Sequence, residues 1–238
     1  DRNGNVWWHY GNWRWSDTPD APIIHGVNSP EEIGQAIMLD SDQLLAPGWM
    51  WGKPAIYRGS LAEEVKIDRI ESGWNLMRGL SGAALVRGGG KPYLLCIDAA
   101  GKGSAINISG DGRFLSDAGA FTLKTQAPVR EWTSLATRNG VLLGAGDGAI
   151  FELVQDGSDW KESRRWSNWG EGADQKFGGR VFISADEDKL WVSDTQRQRV
   201  LVFDAANKLL ASFGTLDKPG DDLRSLNQPQ MVRPRGDR

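Results

Sequence analysis

Four short apolar runs follow one another between residues 178 and 219, at 181–184, 190–193, 200–203 and 209–213, with polar turn residues between them. Runs of this length bounded by turn signals are too short for ordinary helices and suit strands. Along Lys189-Leu190-Trp191-Val192-Ser193-Asp194, Leu190 and Val192 fall on one face of a strand, Trp191 and Ser193 on the other. Residues 200–203 are apolar at every position, as expected of a strand covered on both faces. The segment predicts one four-stranded antiparallel meander.

The unit repeats. Similar runs begin near Ala36, Ala83, Ser134 and Arg180, about 47, 51 and 46 residues apart, a spacing normal for repeat architectures. The second unit takes 36–39, 43–46, 55–58 and 65–70. The third takes 83–87, 93–98, 104–108 and 113–116. The fourth takes 135–138, 141–144, 149–154 and 160–166. Asn139-Gly140, Asp147-Gly148 and Asp111-Gly112 are hairpin-turn pairs. Ser29 as N-cap and Pro30 at the first helical position predict the start of one short helix over 29–33. Repeated four-stranded meanders predict an all-β chain, a β-propeller of five or six blades forming a single domain over 1–238. The ends leave two readings. Residues 1–8 read as the second strand of a blade and 230–232 as a first strand. Either the two termini pair and close the ring, or the chain is a fragment of a longer protein and a sixth blade is incomplete.

Between the second and third runs of the 178–219 meander lies Asp194-Thr195-Gln196-Arg197-Gln198-Arg199. This turn resembles the NHL repeat, in which an Asp precedes a turn closed by an Arg and a hydrophobic strand ending in Phe. Asp194, Arg199 and Phe203 match, as do Phe213-Gly214 and the later Asn227-Gln228-Pro229; Arg197 departs from the usual Asn. The match covers about one blade. The resemblance implies an NHL-like propeller in which Asp194 and Arg199 form an ion pair bracing the turn, a structural role. Bacterial NHL-like propellers are often exported, so it also implies an extracytoplasmic (periplasmic or secreted) location.

Composition narrows the function. The net charge is −3, which gives no broad field for nucleic acid. The given residues hold no 18-residue apolar run, so no transmembrane segment is expected among them. The single cysteine, Cys96, sits in an apolar strand and reads as a buried, inert thiol. Tryptophan is the outlier, at 12 of 238 residues. Aromatic faces fill cores, but they also stack on sugars and anchor protein partners. In a propeller, the loops joining strands two and three and those joining successive blades emerge on one face. Loops on a rigid scaffold are where function tends to sit. The first kind carries Trp13, Trp49, Trp51, Lys53 and Arg197; the second carries Arg78, Arg130 and Trp169. These are the candidate ligand-binding residues.

Catalysis has weaker signals. Two histidines, His9 and His25, cannot supply a three-His zinc site, and no cysteine compensates. Gly88-Gly89-Gly90-Lys91 lacks the spacing of a phosphate loop. No catalytic residue and no metal ligand is assigned, and no cofactor is expected. Propeller lactonases hold a divalent cation on the central axis with carboxylates and Asn; Glu131, Asp147 and Asn227 are the residues that could be placed so. The sequence therefore predicts a binding or assembly module for other protein chains or a polar, sugar-like ligand. The alternatives are a metal-assisted hydrolase or lyase with carboxylates around the channel, and a structural subunit of an extracellular assembly.

Overall fold

The computed structural model describes residues 6–10, 12–16, 25–26, 32–33, 37–40, 43–50, 53–60, 67–71, 80–87, 92–109, 114–186, 188–220, 226–230 and 232; through residue 71 the description is of backbone, apart from Ile37 and Leu45. Among the described residues there is no α-helix, only the 3-10 turns Ala173–Gln175 and Thr195–Arg197, and no helix long and apolar enough to cross a membrane.

The twenty strands among the described residues form antiparallel meanders in chain order. β1 (Val6–Tyr10), β2 (Asn12–Ser16) and β3 (His25–Gly26) make a three-stranded sheet. β4 (Glu32–Ile33) and β5 (Ile37–Asp40) both pair with β6 (Gln43–Met50), which continues to β7 (Lys53–Ser60) and β8 (Ile67–Glu71). β9 (Leu80–Val86), β10 (Tyr93–Asp98), β11 (Lys102–Ile108) and β12 (Phe114–Lys124) form the next meander. β13 (Trp132–Arg138), β14 (Val141–Gly146), β15 (Ala149–Asp156) and β16 (Asp159–Trp166) form another. The last is β17 (Val181–Asp186), β18 (Lys189–Asp194), β19 (Arg199–Phe203) and β20 (Leu209–Phe213), the meander the sequence predicts over 178–219.

The tight turns form as their residues dictate. Asn139 and Gly140 have φ of 50° and 76°, Asp147 and Gly148 of 46° and 69°; two successive positive φ values define the hairpin turn whose twist matches the strands. Asp111-Gly112 lies outside the described residues.

Two local expectations are corrected. Glu32 and Ile33 are strand, paired with Trp49 and Gly48; ladder pairing to β6 overrides the helix-start signal at 29–33. The outer strand expected at 113–116 runs on to Lys124. The sequence places Asp117 at the start of an inter-blade loop over 117–133; in the fold Asp117–Gly119 is a bulge within the strand, with Gly119 at φ 106° and its N–H held 2.8 Å from Asp117 Oδ1. The extension lets Leu123 and Lys124 pair in parallel with Trp160 and Lys161 of β16, joining two meanders edge to edge.

The two faces of inner strands such as β10 and β14 serve different cores. Along β10, Leu94 and Cys96 pack toward Ile37 and Leu45 of the preceding sheet. Leu95 and Ile97 pack with Leu135, Leu142 and Phe151 of the following one. Along β14, Leu142 belongs to that second seam, while Leu143 and Ala145 meet Val181, Val192, Leu201 and Phe203 in a third. The near-continuous apolar strands follow from this double burial. Cys96 is fully buried, and burial pushes its thiol far above the usual range, so it is inert as expected.

The first strands of successive meanders touch through hydroxyls. Thr137 Oγ1 donates to Leu85 O at 2.7 Å, Ile183 N donates to Ser134 Oγ at 2.8 Å, and Thr133 Oγ1 donates to Val181 O. At Gly82 any Cβ would lie 2.9 Å from backbone atoms of Ser134 and Leu135, so a side chain there would force β9 and β13 apart. The opposite end has its own staple. Arg138, only 7% exposed, reaches from β13 to Asp204 O at 2.8 Å and Asn207 Oδ1 at 2.7 Å in the β19–β20 turn.

Candidate functional site

The turn from β18 to β19 organises one face of the molecule. Thr195–Arg197 is a single 3-10 turn, and Gln198 ends it with a left-handed backbone, φ 59°. Asp194 and Arg199, at its two ends, are paired strand residues. Their side chains meet in a buried ion pair: Arg199 Nε and Nη2 lie 3.0 and 2.9 Å from Asp194 Oδ2, with side-chain exposures of 6% and 0%. Asp194 Oδ1 accepts the N–H of Gly178 at 2.9 Å. Burial raises the Asp194 carboxyl, opposed by that N–H and by the Arg199 guanidinium. Two donors on one oxygen and a third on the other favour the ionised form at neutral pH.

The same guanidinium does a second thing. Arg199 Nη1 donates to Asp174 O and Nη2 to Lys176 O, both at 2.7 Å. Arg197 reaches the same loop alongside it: its Nη1 donates to Ala173 O at 2.7 Å and Lys176 O at 2.8 Å. Its Nε and Nη2 grip Asp217 Oδ1 and Oδ2 at 3.1 Å each. That fork raises Arg197 and holds the Asp217 carboxyl below its usual range. Two arginines two residues apart thus strap three carbonyls of one loop.

The strapped loop, residues 167–177, also closes on itself. Phe177 N donates to Ser167 O and Trp169 N to Gln175 O, each at 3.0 Å. Trp169 lies between Phe177 and Phe203, at centroid distances of 5.1 and 5.5 Å, and its ring faces Arg199 Cζ at 4.9 Å. A cation over an indole face adds attraction beyond packing. Glu171 and Asp174 remain exposed at the loop's outer side.

Neighbouring loops join this face. Gly179 N donates to Gln196 Oε1 at 2.7 Å, and Gln228 N to Gln198 Oε1 at 2.6 Å. The β14–β15 turn touches the loop so closely that a Cβ on Gly148 would lie 2.3 Å from Gly178 O. In that turn Asp147 Oδ2 accepts Arg130 N at 2.7 Å, with Arg130 Nε at 3.6 Å. Arg180 Nη2 lies 3.0 Å from Glu131 Oε1. The Arg130 side chain is 87% exposed. An ion pair so open to solvent contributes little stability, which leaves that guanidinium available to another molecule.

The sequence-derived candidates divide accordingly. Trp169 and Arg197 come together beside Asp194 and Arg199, and Arg130 reaches the same face through Asp147. Trp169 is half-buried and stacked, and Arg197 has four hydrogen bonds within the chain, so both shape the surface from beneath. Trp13, Trp49 and Lys53, expected in loops, are strand residues of β2, β6 and β7. The hairpins are tighter than the sequence suggests, Tyr10 pairing with Asn12 and Met50 with Lys53. Trp51 and Arg78 lie outside the described residues. Sequence reasoning missed Gln175, Gln196 and Asp217. Asp217, within a Leu-Asp-Lys-Pro turn, carried the only signal. Among the described residues no three His, Cys, Asp or Glu side chains converge as metal ligands. Glu131 and Asp147 are engaged with Arg180 and Arg130, and Asn227 is exposed.

An all-β chain of successive antiparallel meanders seamed face to face defines a β-propeller, and known structures agree. A protein of unknown function from Bacteroides thetaiotaomicron VPI-5482 superposes with a TM-score of 0.69 over 95% of this chain, at 13% identity. A Lactobacillus plantarum protein does so at TM-score 0.53 and 16% identity, covering 94% of this chain and 71% of its own. A streptogramin B lyase matches at TM-score 0.53 and 11% identity, over 92% of this chain and 67% of the lyase. The chain spans 60% of the Bacteroides protein. No family model matches the chain, and no curated protein does. At these identities the likeness is one of fold.

Proposed function

We propose that this β-propeller is a recognition module: its loop face binds a protein chain or a polar, sugar-like ligand without covalent chemistry. The observation that carries this reading is the double arginine strap. Arg197 and Arg199 fix residues 167–177 from below through four hydrogen bonds to carbonyls. The strap leaves Glu171, Asp174 and, across the Gly148–Gly178 contact, Arg130 facing outward. A surface ordered before its ligand arrives avoids the entropy cost of ordering on binding. The NHL-like character of the β17–β20 blade fits such a platform, with Asp194 and Arg199 in the bracing role.

Native mass spectrometry with elemental analysis of the isolated protein tests this. A metal-free chain that retains a protein or saccharide, and loses it in Glu171→Ala/Asp174→Ala or Arg130→Ala, supports the reading. A monomer carrying one stoichiometric divalent cation, lost in Glu131→Gln/Asp147→Asn, overturns it in favour of carboxylate-assisted hydrolase or lyase chemistry around the channel.

A further inference from the structure

We infer that the loop face takes a protein segment carrying charges of both signs, with lysine or arginine set against Glu171 and Asp174 and aspartate or glutamate set against Arg130 and Lys176. This rests on the recognition reading and names the class of partner within it.

Three observations carry it. The first is which charges are free. Asp194 is closed on Arg199, Asp217 on Arg197 and Glu131 on Arg180. Asp147 is different. Its carboxylate is served by the Arg130 N–H at 2.7 Å, while the Arg130 guanidinium stands off at 3.6 Å on a side chain 87% exposed. That planar fork remains open to the carboxylate of another molecule. Glu171, Asp174 and Lys176 are exposed and enter no ion pair among the described residues.

The second is arrangement. Glu171 and Asp174 occupy the outer part of the 167–177 loop. Lys176 adjoins Phe177 and Gly178, and Gly178 lies against Gly148, next to Asp147 and its partner Arg130. Along this path acids stand at one end and cations at the other. The backbone that carries them is fixed: Arg199 holds the carbonyls of both Asp174 and Lys176, and Arg197 that of Lys176 as well. A partner with the opposite order of charge meets this surface without an ordering cost, and like charges are turned away.

The third is the aromatic content. Arg199 Cζ lies 4.9 Å from the ring of Trp169, and Phe177 and Phe203 flank it. Stacking on a saccharide calls for a bare aromatic face. Val141, Val154, Leu210 and Phe213, the large apolar residues that are exposed among those described, belong to β14, β15 and β20 and not to this loop. Nucleic acid would call for a surface of cations without the two acids. The charges therefore favour a protein chain over a sugar.

A phage-displayed library of random peptides tests this. It is selected on the wild type and on two charge-reversed variants, Glu171→Lys/Asp174→Lys and Arg130→Glu/Lys176→Glu, each with wild-type circular dichroism. The wild type should enrich peptides that carry both Lys or Arg and Asp or Glu. The first variant should enrich acidic peptides and the second basic ones. By fluorescence anisotropy, a peptide selected on the wild type should lose about tenfold in affinity for either variant and weaken as salt rises. Uncharged peptides, or a charge content that ignores the reversals, overturn the inference. Binding of maltohexaose without enrichment of any peptide overturns it too, and leaves the recognition reading standing. If neither probe binds, the inference falls, and native mass spectrometry of the isolated protein still decides the recognition reading.

Discussion

Arg199 is the residue on which most depends. It neutralises a buried carboxylate, holds two carbonyls of a neighbouring loop and supports an indole ring. Removing one member of a buried ion pair leaves the other charge uncompensated, at a cost of about 3–5 kcal/mol. Arg199→Ala should lose that much in urea denaturation. Arg199→Lys should recover little, because a single ammonium cannot serve Asp194 and the two carbonyls at once. Asp217 sets a pH limit on the second strap. Its carboxyl in the folded chain titrates below the ordinary 3.8, held down by the Arg197 hydrogen bond. A depressed acid contributes stability that is fully present above the unfolded value and is lost as pH falls through the folded one. The 215–218 turn should therefore stay closed at and above the ordinary carboxyl value of 3.8 and open only as pH falls further, through the lowered one. Carboxyl NMR titration should show this for the wild type, and Asp217→Asn should abolish the transition. The sequence made Asp194 and Arg199 legible because the turn they bracket is only four residues long. Arg197 stood out as a departure from the repeat, but its partners, Ala173, Lys176 and Asp217, are some twenty residues away on either side. No local pattern encodes that convergence.

At the scale of elements, what was legible was whatever is locally encoded. Strand runs between residues 80 and 213 and the Asn-Gly and Asp-Gly turns follow from period-two patterning and positive-φ chemistry. The extension of β12 was not legible, since a strand that continues through Asp117-Ala118-Gly119 needs the edge of β16 to receive it. The helix start at Ser29-Pro30 fails at Glu32–Ile33 for the same reason: a partner strand decides. Packing between elements gives a sharp test at Gly144. A Cβ there would lie 2.6 Å from Trp132 Cζ3, in the middle of a seam. Gly144→Ala should cost about 1–3 kcal/mol by overpacking and speed hydrogen exchange in β9–β12 as well as β13–β16. Gly140, with nothing within 4 Å of its would-be Cβ, should show only the local cost of φ 76° and leave exchange in β9–β12 unchanged. Arg197→Ala should unstrap the 167–177 loop, seen as new tryptic cleavage at Lys176 while the β17–β20 amides stay protected.

At the scale of the molecule, stability resides in the seams rather than in any one sheet. Leu143, 1% exposed, lies in the third seam. Leu143→Ala should cost about 2–5 kcal/mol and loosen β17–β20 more than β9–β12, measured by native-state hydrogen exchange. The alternation of neighbouring residues between two seams also bears on how such a chain can change over generations. Leu94 and Leu95 are adjacent in sequence yet answer to different neighbours, as do Leu142 and Leu143. A unit copied, deleted or exchanged by recombination must fit two unrelated surfaces at once, so crossovers placed in the loops between sheets, although they cut no strand, would still break two interfaces. Drift is under no such restriction: paired substitutions across one seam can accumulate while the seam on the other side of the same strand stays as it was. A propeller of this kind can therefore diverge far in sequence at constant architecture, seam by seam, while resisting the shuffling of whole blades that its repetitive appearance invites.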